Sequence, residues 1–74
     1  MARLIRLDRT GHTTLAEWTE GDLAAREAAA QAFRRELDNG LLASVPRADG
    51  GAGVVRALPL DAELVVLRRP IAGG

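Results

Sequence analysis

The run Leu64, Val65, Val66 and Leu67, entered through Glu63 and halted by Pro70, constrains this chain more than any other stretch. Successive side chains of a strand point to opposite faces, so an unbroken aliphatic run predicts a strand covered on both. Proline carries no N–H for a ladder and fixes its own φ, so the strand must end before Pro70. Such a strand needs neighbours on both edges and a layer above it, all drawn from 74 residues. That length is near the lower limit for a single unstapled core. There is no cysteine, so neither a disulfide framework nor a thiolate metal site can help. With 47% apolar residues but one Phe and one Trp, the core has to be aliphatic and rich in alanine.

The rest of the chain offers what the strand needs. Residues 2–8 and 13–18 have the leucine, β-branched and tryptophan content of strands. The connector Arg9, Thr10, Gly11 and His12 makes them a β-hairpin, with Gly11 supplying the turn. Ile5 and Leu7 are expected to share one face, matched by Ala16 and Trp18 on the partner strand. Asp22 is a good N-cap, and Leu23–Asp38 is a proline-free run of helix formers. Ala29, Ala30, Phe33 and Leu37 fall on its apolar face with Arg26 at the margin, and Asn39-Gly40 signals its end. A third strand is expected over residues 41–45, a glycine-rich hairpin loop over 47–53, and a fourth strand over 54–58. A turn at 59–62 leads into the fifth strand, 63–68.

The order ββαββ, closed by the final strand, predicts an α+β fold: a mixed sheet with one packed helix. The first and last strands are expected side by side and parallel at the centre, the helix segment supplying the crossover. An antiparallel α+β sandwich is the competing layout. One domain is expected over residues 1–69, with a flexible tail over 70–74.

Ten basic and ten acidic residues balance, which leaves no footprint for nucleic acid or an anionic membrane surface. No apolar run approaches the roughly 18 residues of a spanning helix, and no signal-peptide core follows Met1. A cytoplasmic bacterial protein, monomeric when free, is the expectation. Every basic residue is arginine. A modifier of this composition could not build lysine-linked chains of itself.

Candidate chemistry within the chain is sparse. His12 is the one group titrating near neutrality and has no second ligand nearby. Asp8 and Asp49 read as turn residues. Trp18 could anchor an interface, but in a core short of aromatics it is expected to pack with Phe33. The segment Asp49-Gly50-Gly51-Ala52-Gly53 lacks the spacing and the lysine of a phosphate-binding loop. No nucleophile–base pair or metal cluster is visible, so no catalytic residue, metal or cofactor is assigned, and the chain is not expected to be an enzyme.

The remaining signal is the stretch after the fifth strand: Arg68, Arg69, Pro70, Ile71, Ala72, Gly73 and Gly74. Together with Asp61-Ala62-Glu63 and the aliphatic strand, it resembles the end of the ubiquitin-like β-grasp sulfur carriers, especially the small subunit of molybdopterin synthase. Members of that family end in an acidic turn, an apolar strand and a proline-containing tail closing on diglycine. Arg69 stands where the family commonly has its first proline. Asn39-Gly40 followed by Leu41 and Leu42 is similar to the family's segment after the helix. The resemblance implies a ubiquitin-like β-grasp fold and a Gly74 carboxylate adenylated by a partner enzyme, then converted to a thiocarboxylate. Gly73 and Gly74 would be the carrier terminus. Arg68, Arg69, Pro70, Ile71 and Ala72 would contact the activating enzyme and an acceptor protein. The alternative is a β-grasp module that only binds a partner, its diglycine unused.

Overall fold

The computed structural model describes residues 1–70. It shows an α+β fold in which one helix, α1 (Leu23–Asp38), covers one face of a five-stranded mixed sheet. The strands are β1 (Ala2–Asp8), β2 (Gly11–Trp18), β3 (Leu42–Pro46), β4 (Ala52–Val55) and β5 (Leu64–Arg68), in spatial order β2-β1-β5-β3-β4. The aliphatic run is central, parallel to β1 and antiparallel to β3, but it is covered on one face and not on both: Val65 and Leu67 are buried, while Leu64 and Val66 are half-buried on the open face. Leu4 lies beside Val65 and Arg6 beside Leu67, and Leu67 in turn beside Ala43. The Arg3 N–H donates to Glu63 O at 2.9 Å, extending the β1–β5 pairing by one bond.

The helix-facing layer is the core: Leu4, Trp18, Ala29, Phe33, Leu41, Ala43, Val65 and Leu67 are all buried. Leu4, Val65 and Leu67 are the largest side chains in it that are wholly shut off from solvent. Alanines at 25, 29 and 32 line the helix side, with Phe33 filling the space between helix and sheet. Ala30, expected on that face, is exposed, and Ala32 packs there instead. The apolar stripe is displaced around the helix because Phe33 sets which side meets the sheet. Trp18 is buried in the core, as expected, and its Nε1–H donates to Leu60 O at 3.3 Å. That bond ties β2 to the turn closed by Ala62 N–H on Pro59 O.

The hairpin faces are the reverse of the expectation. Ala16 and Trp18 stand opposite Leu4 and Ala2, not Ile5 and Leu7, which lie on the open face of the sheet. Residues 2–7 of β1 are apolar at 2, 4, 5 and 7, so alternation alone leaves two face assignments. Burying the even set turns Arg6 toward the helix, a cost that is met by Glu36: the two side chains pair at 3.0 Å. A register shift between Leu4 and Ile5 then absorbs Leu15 as an extra residue on β2.

Local chemistry sets the element ends. The Asp22 side chain accepts from Ala25 N–H at 3.0 Å, capping α1 at its start. At its end, Leu41 N–H donates to Glu36 O and Gly40 N–H to Leu37 O, a Schellman closure. Gly40 holds φ 93°, the left-handed region that a side chain disfavours. The third and fifth strands fall within a residue of expectation, but β4 is Ala52–Val55 rather than residues 54–58. The preceding turn is tighter than its glycine content suggests. Asp49 pairs with Arg47 and also accepts from Gly51 N–H at 2.9 Å, so pairing resumes at Ala52. The Asp49 carboxyl is held below its usual range, first by Arg47 and then by the Gly51 N–H.

The face assignment can be tested directly. Leu4→Ala removes a wholly buried side chain and should cost about 2–5 kcal/mol, comparable to the whole stability of a domain this small. Leu7→Ala removes one that is 44% exposed and should cost far less. Urea unfolding of both variants measures the difference, and equal losses would contradict the observed register.

Candidate functional site

Because β1 and β5 run parallel, their C-terminal ends emerge at the same end of the sheet. There β1 passes into the hairpin turn at Arg9, and β5 ends on Arg68, followed by Arg69 and Pro70. The end of α1 arrives from above with Asn39 and Leu41. Together these segments enclose an open cleft of about 950 Å³ lined by arginines 6, 9, 68 and 69, the carboxylates Asp8 and Glu36, and Leu7, Asn39 and Leu41.

Both carboxylates are already occupied. Asp8 accepts from Thr10 Oγ1 at 2.7 Å and from Thr10 N–H at 2.8 Å, which fastens the hairpin turn. These bonds, with a smaller contribution from Arg6, hold the Asp8 carboxyl below its usual range. Glu36 is taken by Arg6, the pair bridging β1 and α1 across the cleft wall. Among the described residues, Arg9, Arg68 and Arg69 make no side-chain hydrogen bond or ion pair. All three are exposed.

The opposite end of the molecule has the contrary sign. A second hollow there is lined by the carboxylates of Glu20, Asp61 and Glu63 against two cations, Arg26 and the Met1 α-ammonium, beside Trp18 and Leu60. A chain of zero formal charge thus has a basic end and an acidic end. The open face of the sheet between them presents Ile5, Leu7, Leu42, Val54 and Val66, of which Leu7, Leu42 and Val54 are strongly exposed.

Of the residues singled out from sequence, Arg68, Arg69 and Pro70 are exposed at the mouth of the basic cleft or next to it. Ile71, Ala72, Gly73 and Gly74 lie outside the described residues, as does most of the tail expected over 70–74. His12 is exposed within β2 rather than in a loop, opposite Leu7 on the open face. It falls in the strand because the hairpin needs only Arg9 and Thr10 between Asp8 and Gly11. Among the described residues no group of three His, Cys, Asp or Glu side chains could hold a metal ion. No described helix is long and apolar enough to cross a membrane.

Arg6 and Arg9 were not legible as site residues. The signal was there, since an expected parallel pairing of first and last strands already sets residues 6–9 beside residues 68–69. Comparison with protein-family models, with curated proteins and with solved structures finds no match to this chain.

Thr10→Val removes the side-chain donor to Asp8 and should raise that carboxyl toward its usual value of about 3.9. A depressed carboxyl stabilises the fold above its unfolded-state value, and the stabilisation is lost as pH falls through the lower folded value. The natural chain should therefore be more stable than T10V above about pH 4, and the two should converge as pH falls through the depressed Asp8 value. Carbon-detected NMR titration of the Asp8 carboxyl checks this, and an unchanged titration in T10V would contradict it.

Proposed function

We propose that this chain is a ubiquitin-like β-grasp protein acting as a carrier, its Gly74 carboxylate activated by a partner enzyme. The observation that carries the reading is the arrangement of the sheet. Its last strand is central and parallel to its first, and it delivers Arg68, Arg69 and Pro70 directly to the end of the molecule. The tail sequence Pro70-Ile71-Ala72-Gly73-Gly74, which follows this central strand in the chain, is one of small and apolar residues. Glycines without side chains suit a narrow enzyme channel. The resemblance to sulfur carriers of the molybdopterin-synthase type supplies the chemistry.

In that chemistry the Gly74 carboxylate oxygen attacks the α-phosphorus of ATP on an adenylating enzyme. Pyrophosphate leaves and an acyl adenylate forms. The terminal sulfur of a persulfide on the partner then displaces AMP to give an acyl disulfide. A second thiol of the partner attacks its S–S bond, freeing a thiocarboxylate for transfer to an acceptor protein and leaving the partner as a disulfide. The carrier contributes neither base nor metal to these steps. Its work is to dock and to present a carboxylate, and the exposed aliphatic side chains of the open face give a docking partner apolar area to bury.

The exposed open face also suits the second reading, a β-grasp module that binds a partner without being activated. Mass spectrometry separates the two. Protein taken from its own cells should end at Gly74. With ATP and the adenylating enzyme of the same cells, it should gain the mass difference between sulfur and oxygen on its C-terminal peptide. Deleting Gly73 and Gly74 should abolish the gain. A chain that continues unprocessed past Gly74, or one that never releases pyrophosphate from ATP, would leave only the binding module standing.

A further inference from the structure

The basic cleft has unspent charge. It brings four arginines together with two carboxylates, and each carboxylate is already bound within the fold, Asp8 by Thr10 and Glu36 by Arg6. Arg9, Arg68 and Arg69 remain without a partner among the described residues. Like charges that line one cleft repel one another, and an anion seated there would relieve that repulsion. Guanidinium forks match a carboxylate with two parallel hydrogen bonds.

The cleft is not wholly polar. Leu7 and Leu41 line it, and Leu7 is 44% exposed. Leu7 and Arg68 also line a shallower hollow on the open face, with Val66 and Pro46, so the basic and apolar surfaces are continuous. A small anion would leave this apolar lining uncovered, whereas a peptide can cover it with a side chain. No polar or charged residue among those described is buried. The cleft is instead an exposed groove of alternating character.

We propose that this cleft seats an acidic segment of a partner protein, its carboxylates on Arg9, Arg68 and Arg69 and an adjacent aliphatic side chain on Leu7. The occupant is thus a peptide stretch in which Asp or Glu alternates with Leu, Ile or Val. The assignment goes beyond the carrier reading and stands without it, since it requires no chemistry at Gly74.

The probe is a blocked hexapeptide of alternating glutamate and leucine, titrated into the full chain at low salt without ATP or any enzyme. Backbone NMR shifts should move at Leu7, Arg9, Arg68 and Arg69, and affinity should fall as salt screens the contacts. Arg9→Glu with Arg68→Glu should weaken binding about tenfold or more, as should glutamine in place of glutamate in the peptide. Arg34→Glu with Arg56→Glu makes the same change of net charge at two other exposed positions and should have little effect. Circular dichroism establishes that both variants are folded.

Several results would overturn the proposal: equal binding of the glutamine peptide, equal loss in the control variant, or shifts confined to other residues. So would inorganic phosphate at the same concentration reproducing the peptide's shifts, which would make the cleft a small-anion site. Sedimentation showing that the chain associates with itself, its acidic end filling the cleft of a second copy, would also overturn it. Because no activating enzyme is present, none of these results bears on the fate of Gly74.

Discussion

Everything in this fold hangs on the parallel contact between β1 and β5. Leu4, Val65 and Leu67 sit at that junction, completely withdrawn from water beneath Phe33. At about 25 cal/mol per Å² of apolar surface, a few such side chains are a large share of what a chain of 74 residues can gather. The flanking pieces depend on the contact without contributing to it equally. The β3–β4 hairpin joins the sheet only through β5, and β2 joins only through β1. Loss of the central pairing would leave a β1–β2 hairpin, a three-stranded β5-β3-β4 piece and a helix, with the apolar core divided among them.

The same contact makes the candidate site. Two strands that run parallel must finish together, so residues far apart in the chain, Arg6 and Arg9 against Arg68 and Arg69, meet at one end. Their opposite ends gather Glu20, Asp61 and Glu63 by the same geometry. Overall charge is therefore a poor guide to this surface. The composition is neutral, while each end of the molecule is not.

What could be read from residues alone was what local rules govern. The Asp22 cap, the bounds of α1 and the Gly40 ending follow from short-range bonds, and the observed elements agree with them. The central parallel pair was also legible, because the uninterrupted run at 64–67 has few places to go in a sheet. The hairpin faces were not. Leu4 and Ile5 are adjacent and both aliphatic, and the choice between them is made by long-range packing of Leu4 with Trp18, Phe33 and Val65, which leaves Arg6 to pair with Glu36 and Leu15 as an extra residue on β2. The start of β4 was hidden for a similar reason. The contacts of Asp49 with Arg47 and Gly51 tighten a segment whose glycines suggest a slack loop. The basic cleft stayed out of view because its members belong to four different segments, and only a register brings them together.

The parallel arrangement also fixes how the molecule bears force. Met1 leaves the sheet at one pole and Pro70 at the other, so tension applied between them runs along β1 and β5 in opposite directions. The bonds that join the two strands are then sheared as a group instead of being opened one after another. A tail drawn into a partner, or a chain engaged by a pulling machine, would meet its greatest resistance at this pair. Such resistance is governed by the rate of unfolding and not by equilibrium stability alone, so a fold with little free energy to spare can still be hard to pull apart along this axis.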